Sequence, residues 1–536
     1  MSDAAAPPPA APGLFVMPVP RALCYIFASF LLGISQGLGM SLLSSNITQV
    51  QGEIGATQQE ALWLIAAYMA PSASVTLALI KIRTQFGLRL FAQVALTAFV
   101  LASLLNLAVT DLHSGIAVRF MSGLAAAPMS TLAFLYMLEP FPAARKLSVG
   151  LSLALTGISL GTPLSRVLAP HLLDLGGLQQ LNLLDLALAL LGFAVVLLLP
   201  LTPVPRQKVI ERADLISFPL IAIGMGALAV VLTVGTSHWW FDTPWLGTLV
   251  ALAIVTLVIA ATIELHRKDP LIDVRWLASP AILQLTGALI VFRIVLAEQT
   301  SGAPGFYIAL GLQNQQMQGM FWMIVAVTIL GGLVSAVILK PGREAAIHSA
   351  ALIMIVVGAL IDSHTTSLTR PAQMMFSQGL IAFASAIFLP AAMASGLMTA
   401  LRRGPLYILS FVIVFLTTQR LGGIAGSALF QTVIRFRQNA HLSELEASLS
   451  QADPLVTARL QTYAAIYNGQ MAEAAARQSQ ALTTLSQVVT RESTVMAYND
   501  VFFLIACVAG AALAVLAVHQ GWLWMQARRA QPSSNG

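Results

Sequence analysis

Five charged residues stand inside long apolar stretches of this 536-residue chain: Arg119, Arg166, Arg293, Glu298 and Arg420. An arginine at the centre of a bilayer costs about 2.5–3.5 kcal/mol on insertion scales, so such residues face a bundle interior, a cavity or a nearby interface. A buried carboxyl group favours its neutral form, which suits reversible proton binding, and guanidinium groups bind anions through forked hydrogen bonds. These residue types therefore indicate ion binding and proton exchange within a membrane.

The positions of the arginines within their apolar stretches separate two interpretations. Arg293 and Arg420 lie about midway along their stretches, which favours a place in a cavity. Gln36 and Gln419 would complete the polar lining of such a substrate cavity. Arg119 lies about one turn inside the predicted outer end of its stretch, where it could instead snorkel or brace the helix.

Glu298 has two interpretations that the sequence does not separate. It follows Arg293 by five residues, about 140° around a helix, so the two side chains do not form a helical pair. Glu298 is therefore either a proton-coupling carboxyl in a low dielectric or an acid solvated by the polar segment that follows it. For five other acids, capping or a place at the membrane interface explains the position better than proton transfer: Asp185, Asp214, Glu264, Asp362 and Asp500.

The composition indicates an all-α polytopic membrane protein. The chain is 57% hydrophobic and 9% charged, against about 25% charged residues in ordinary soluble domains. Continuous apolar runs, rather than alternating ones, exclude a β-barrel and predict fourteen transmembrane helices. The predicted spans are 22–44, 61–80, 89–109, 114–137, 147–169, 181–200, 215–235, 244–264, 280–301, 317–339, 346–363, 373–399, 405–430 and 499–519.

The distribution of basic residues predicts the orientation. Eighteen of the 28 Lys and Arg residues fall on the side that holds both termini, whereas the short loops of the opposite side contain only Arg370. Basic residues collect in cytoplasmic loops, so both termini are predicted to be cytoplasmic and the long loop 436–497 to lie outside. The net charge of +6 is explained by these loops and does not indicate nucleic-acid binding.

The chain contains no motif of an ATP-driven pump, no G-x-S-x-G elbow and no metal-ligand spacing. We therefore expect no enzyme activity, no cofactor and no metal, and energy for any work from an ion gradient. A weak internal repeat relates RFMSGLAAAP (119–128) to MFSQGLIAFA (375–384). Glycine pairs in the fifth and thirteenth spans suggest the same repeat, although ordinary close packing also gives this spacing.

These motifs resemble the major facilitator superfamily, and more narrowly its fourteen-span drug:proton antiporters of the EmrB/QacA type. IAVRFMSGLAAAP (116–128) resembles the Arg-x-x-x-Gly motif of the fourth span, which implies a role in proton coupling for Arg119 and a packing role for Gly123. TGISLGTPLSRVLAP (156–170) resembles the antiporter motif of the fifth span, and QRLGGIAGSALF (419–430) resembles the thirteenth. The conformational and packing positions implied by the two motifs are Gly157, Gly161, Pro163, Gly422 and Gly426.

Three departures from the family pattern make the interior more basic. The first span has no acid, and the position where the family usually carries one is Gly39, about twenty-four residues before Trp63. Arg83 occupies a region where an acid is usual. The fifth span carries Ser165 and Arg166 where small glycines are typical, which adds Arg166 to the substrate-cavity residues.

The resemblance implies a major facilitator fold of two six-helix halves with two inserted helices. The predicted units are a cytoplasmic tail (1–21), a first half (22–200), the inserted helices (201–279), a second half (280–519) and a cytoplasmic tail (520–536). We expect a proton-driven inner-membrane exporter of small amphiphilic toxic compounds or drugs, with anionic compounds as candidate substrates, surrounded by membrane lipid. The alternatives are a uniporter or importer of an organic anion and a non-transporting sensor or scaffold. The resemblance also implies a tripartite efflux assembly with a periplasmic adaptor and an outer-membrane channel.

Overall fold

The computed structural model describes residues 14–203, 205–267, 270–449 and 453–530, and every regular element in these ranges is helical. Thirteen helical runs are long and apolar enough to cross a membrane. One of them, 143–198, has 56 residues, about 84 Å of helix, which is far more than one crossing of about 30 Å needs. It is interrupted at Gly177, whose φ of 62° favours glycine, so the chain turns there between two spans. This turn brings the number of crossings to the predicted fourteen.

The first half contains six crossings. Two of its long helices begin with capping boxes, Thr57 with Glu60 and Asp111 with Ser114, which satisfy the first free backbone amides. A π-helical turn at Lys146–Gly150 precedes α7. The helices are α1 Val19–Ser44, α2 Ile47–Glu53, α3 Gln58–Phe86, α4 Leu88–Asn106, α5 Leu112–Leu138, α6 Ala143–Arg145, α7 Leu151–Ser159 and α8 Gly161–Leu198.

Two inserted crossings follow, α9 Asp214–His238 and α10 Pro244–Leu265, with the short α11 Val274–Leu277 after them. α9 packs against α3 and α10. Asp214 accepts from Lys81 Nζ at 2.9 Å and lies 2.8 Å from Arg267, which also pairs with Glu264. This ion network fixes the inserted helices to α3 and accounts for two of the acids near span ends.

The second half contains the remaining six crossings. A π-helical turn at Glu298–Gly302 joins its first two helices, so the first crossing of this half continues past the predicted end at 301 to Ala309. The helices are α12 Pro280–Val295, α13 Ala303–Ala309, α14 Asn314–Ile338, α15 Glu344–Asp362, α16 Met375–Arg403, α17 Pro405–Ser448, α18 Pro454–Ile466 and α19 Ala474–Ala530.

Glycine contacts in the two halves follow the same plan. In the first half, a side chain at Gly161 of α8 would overlap the backbone of Gly37 in α1. In the second half, a Cβ at Gly426 of α17 would lie 3.0 Å from Ile294 Cα in α12, and Gly422 contacts the same helix. Backbones approach this closely only where side chains are absent.

A second pair of contacts repeats in the same way. A side chain at Gly123 of α5 would overlap the Tyr68 carbonyl of α3, and a Cβ at Gly379 of α16 would lie 3.1 Å from Met323 Sδ of α14. Gly123 and Gly379 occupy equivalent positions in the two sequence segments that resemble each other. The internal similarity therefore corresponds to similar helix packing.

The fifth crossing is broken between α7 and α8. Pro163 has no N–H to donate to the carbonyl of Ser159, and α7 ends at that serine. Gly157 of α7 faces Phe30 of α1. The helix is thus interrupted where α1 packs against it through Gly37.

The long loop 436–497 is an extended helical hairpin, which we call the outer hairpin. Its arms are the end of α17 and the start of α19, and α18 packs against α19 near the tip. Gln438 Nε2 donates to Thr494 Oγ1 at 2.9 Å, and Asp500 accepts from Arg437 at 2.5 Å and lies 2.6 Å from His441. We call the end of the bundle that carries this hairpin the outer end.

Candidate functional site

A buried acidic cluster lies in the second half. Gln378 Nε2 donates to Glu298 Oε1 at 2.7 Å and to Asp362 Oδ2 at 2.9 Å. Ser377 Oγ donates to the other oxygen of Asp362 at 2.5 Å. All four side chains are 0% exposed. We call Glu298, Asp362, Ser377 and Gln378 the acidic cluster.

Three elements position the acidic cluster. Glu298 begins the π-helical turn after α12, and such turns are frequent at functional sites. Asp362 is the last residue of α15, whereas Ser377 and Gln378 lie in the first turn of α16. The interpretation of Glu298 as solvated by a polar loop is wrong, because the segment after it is helical and packed against Phe430 and other side chains.

The acidic cluster has two carboxyl groups and one bridging amide. Glu298 Oε2 and Gln378 Oε1 have no hydrogen-bond partner within the described ranges. Two adjacent negative charges in a low dielectric repel each other and lose their solvation. Protonation of one carboxyl group removes this repulsion and lowers the free energy of the pair. The arrangement is chemically suited to bind and release one proton.

A second buried polar cluster lies in the first half, around Arg119. Its Nη1 donates to the Gly39 carbonyl of α1 at 3.0 Å, and its guanidinium lies 4.5 Å from the centroid of the Tyr68 ring. Arg119 is 7% exposed, so it does not snorkel to the surface. Gln36 is also buried and lies beside the Tyr68 hydroxyl.

Asp185 of α8 belongs to the same cluster, although its position in the sequence favoured a span end. Ser103 Oγ of α4 donates to Asp185 Oδ2 at 2.8 Å, and Oδ1 has no hydrogen-bond partner in the part of the chain described. We call Gly39, Tyr68, Ser103, Arg119 and Asp185 the arginine cluster. Sequence reasoning missed Asp185 because its contacts lie on other helices, up to 146 positions away; the glycine at position 39 was the only signal.

A small cavity connects the arginine cluster with the outer end. It has a volume of about 20 Å³, room for about one water molecule, and its lining includes Asn106, Asp111, Arg119 and Asn182. Asp111 caps α5 at the rim, and a hydrogen bond from the Ser114 hydroxyl holds the pKa of the Asp111 carboxyl below its usual range. The rim is therefore charged, whereas apolar side chains form most of the remaining lining: Leu43, Val50, Ile54, Leu64, Val109 and Leu178.

Arg293 and Arg420 occupy different contacts between the helices. Arg293 Nη2 would lie 2.6 Å from a Cβ at Gly423, so this glycine of α17 makes room for the guanidinium. Arg293 Nε has no hydrogen-bond partner in the described part. Arg420 reaches from α17 towards α5, where its Nη2 lies 3.5 Å from Ser130 Oγ. Gln419 Nε2 also lacks a partner within the same ranges.

Arg166 lies near the outer end, apart from these two arginines. Its Nη1 donates to Asn314 Oδ1 at 2.9 Å, and its guanidinium lies 5.3 Å from the centroid of the Phe321 ring. Asn314 Nδ2 in turn donates to Asn46 Oδ1 and to the Ser45 carbonyl, both at 2.9 Å. Arg166 thus joins α8, α14 and the end of α1.

The fold and these clusters define a class: polytopic helical membrane proteins built from two similarly packed halves with buried ionisable groups in each. The sequence profile of the Major Facilitator Superfamily matches residues 29–429, and the chain belongs to this family. The resemblance predicted from the sequence motifs is confirmed.

Three similar proteins illustrate the relationship. The chain is 22% identical to the probable multidrug resistance protein EmrY of Escherichia coli (strain K12) over 503 residues, 90% of this chain and 92% of EmrY. It is 24% identical to the multidrug export protein EmrB of the same strain over 243 residues, 44% and 46% of the two chains. The crystal structure of the human organic anion transporter MFSD10 shares the fold, with a TM-score of 0.55 and 12% identity over 92% of this chain and 100% of that one.

Proposed function

We propose that this protein is a proton-driven exporter of small amphiphilic compounds, including organic acids, across the inner membrane. The acidic cluster carries the proposal, because two fully buried carboxyl groups bridged by one amide can bind and release a proton. The names of EmrY and EmrB, which refer to multidrug resistance and export, support the direction of transport. Alternate opening of the two halves would couple proton entry to substrate exit.

Proteoliposomes with an acidic lumen test the proposal. Naphthoate and the permanent cation ethidium serve as probes, with the membrane potential clamped by valinomycin and equal potassium. In protein molecules that face inside out, one proton exchanged per probe molecule supports about tenfold accumulation per pH unit. A weak acid distributes passively away from an acidic lumen, so naphthoate accumulation there requires the protein. Binding of the probes without accumulation would favour a non-transporting sensor.

We propose that Arg293 and Arg420 select organic anions. Arg293 Nε has no hydrogen-bond partner in the described ranges, and Arg420 Nη2 makes a long contact of 3.5 Å with Ser130 Oγ. Both guanidinium groups therefore have N–H donors that a substrate carboxylate could use, and such hydrogen bonds are charge-assisted. Arg293→Gln or Arg420→Gln should lower naphthoate accumulation about tenfold or more, the cost of losing one charged hydrogen bond. Arg166→Gln is the matched control: Arg166 Nη1 already donates to Asn314 Oδ1, so we expect a bracing role rather than a place in the substrate cavity and a similar effect on both probes. Loss of ethidium transport with unchanged naphthoate transport would show that Arg293 and Arg420 are structural.

The outer hairpin is the proposed contact for a periplasmic adaptor, which in turn would contact an outer-membrane channel. Replacement of 445–485 by a short Gly/Ser linker should abolish co-purification with periplasmic adaptors that are co-expressed from the host's efflux systems. The clamps Arg437–Asp500 and Gln438–Thr494 stay intact in this variant, so the bundle should remain folded. Unchanged co-purification would reject the hairpin as the docking element.

We infer that both termini are cytoplasmic and the outer hairpin periplasmic, since the basic loops lie at the opposite end. In a variant without the exposed Cys24 and Cys507, an impermeant thiol reagent applied to intact cells should label Ser448→Cys and spare Arg403→Cys. The reverse labelling pattern would overturn this orientation.

A further inference from the structure

The carboxyl group of Asp185 occupies the space that a side chain on Gly39 would fill. A Cβ built on Gly39 would lie 3.1 Å from Asp185 Oδ1. Gly39 is the position at which the resemblance to the drug:proton antiporters implies an acid in the first span. The structure therefore has a carboxyl group at this point of the bundle, although it comes from α8 rather than from α1.

The groups that face Asp185 leave one of its oxygens available for a proton. α1 contributes Gly39, which has no titratable group, and α4 contributes the Ser103 hydroxyl, which donates to Oδ2. α5 contributes Arg119 and α3 contributes Tyr68. Arg119 donates to the Gly39 carbonyl, and within the described ranges no ion pair of 4 Å or less joins Arg119 to Asp185.

The small cavity at the outer end is lined by two neighbours of this carboxyl group, Arg119 and Asn182. Arg119 lines the cavity and contacts the same glycine as Asp185. Asn182 also lines it and lies about one helical turn before Asp185 on α8. Asn182 Nδ2 donates to the Asn106 carbonyl at 3.0 Å, which holds α8 against α4 beside the cavity.

We propose that Asp185 is a second proton-exchanging carboxyl of the transporter and takes the place of the acid that the first span lacks. In the protonated state, Oδ1 carries the proton and Arg119 stays bound to the Gly39 carbonyl. When the proton leaves through the cavity, the carboxylate accepts a hydrogen bond from Arg119, and the Gly39 carbonyl loses its donor. Release of this carbonyl frees α1 to move against α5. The inference rests on the proposed exporter function.

The test uses purified full-length protein in proteoliposomes. Asp185→Asn keeps the acceptor for Ser103 but cannot release a proton, and the double variant Gly39→Asp/Asp185→Ala moves the carboxyl back to α1. Asp242→Asn, an exposed acid near the outer end, is the matched control. Infrared difference spectra between acidic and neutral media report protonated carboxyl groups, while naphthoate accumulation and counterflow report coupling and binding.

We expect Asp185→Asn to lose one pH-dependent carboxyl band and about tenfold pH-driven accumulation per pH unit, with counterflow retained. The double variant should restore both signals, and Asp242→Asn should change neither. If Asp185→Asn keeps the full band, or if the folded double variant restores nothing, the proposal is overturned and Asp185 is a brace for Ser103. If the unmodified protein accumulates no probe, the exporter proposal fails, while the band still decides the role of Asp185.

Discussion

Glu298→Gln should reduce pH-driven accumulation of naphthoate or ethidium by about tenfold per pH unit, the contribution of one exchanged proton. A glutamine keeps the shape of Glu298 and can still contact Gln378, but it removes the proton that we propose the acidic cluster exchanges. Exchange of labelled for unlabelled probe at equal pH should persist, because this step needs no net proton movement. The ratio of accumulation to exchange is therefore the quantity to measure.

Asp362→Asn should have the same effect if the two carboxyl groups share one proton. The double variant should then be no worse than either single variant, because groups that titrate as a pair lose one shared function. Glu344→Gln is the matched control on the same helix, since Glu344 lies at the opposite end of α15 and accepts a hydrogen bond from the nearby Gly342 amide. Full accumulation by Glu298→Gln would exclude the acidic cluster from proton coupling.

The second large effect concerns folding. Gly161→Val should destabilise the protein by about 2 kcal/mol or more, in the upper part of the range for overpacked cores. The obstacle is the backbone of Gly37, which cannot rotate away as a side chain could. Gly123→Val should behave similarly, because its new side chain would meet the Tyr68 carbonyl. Thermal unfolding of purified protein and the yield of monodisperse protein measure the effect.

The control for these variants is a glycine with open space. Apart from the adjoining backbone of the same helix, no atom of the described residues lies within 4 Å of a Cβ built on Gly287 of α12 or Gly247 of α10. Gly287→Ala and Gly247→Ala should therefore change stability by about 0.5 kcal/mol or less. Equal stability of Gly161→Val and Gly287→Ala would show that α1 and α8 separate readily, which contradicts the packing described.

The crossings could be predicted from the sequence because each span must satisfy its own backbone hydrogen bonds and therefore appears as one continuous apolar run. The turn at Gly177 is an example: Gly176 and Gly177 separate two apolar runs in the sequence, although helical geometry continues on either side of them. Arg119 and Gly123 could be identified because their motif is local, within one helix.

The partners of the buried acids could not be predicted, because they come from distant helices. Asp362 lies at the end of its span, as the sequence indicates, but its interpretation as an interface residue is wrong because α16 brings Ser377 and Gln378 against it. The interpretation of Asp185 as a residue of the span end is also wrong. Its position near the predicted start of a span does not show that its carboxyl group lies in the space beside Gly39 of another helix. The absence of a side chain at Gly39 is thus as informative about this site as the charged residues are.

The outer hairpin has a mechanical consequence. α17 is one helix of 44 residues, about 66 Å long, so a tilt of its membrane-spanning part is magnified at its far end. The Arg437–Asp500 and Gln438–Thr494 contacts join the two arms near their base, so the arms must move together. A protein bound at the tip would therefore be displaced whenever the thirteenth and fourteenth crossings tilt. Conversely, a force applied at the tip would be transmitted to these two crossings.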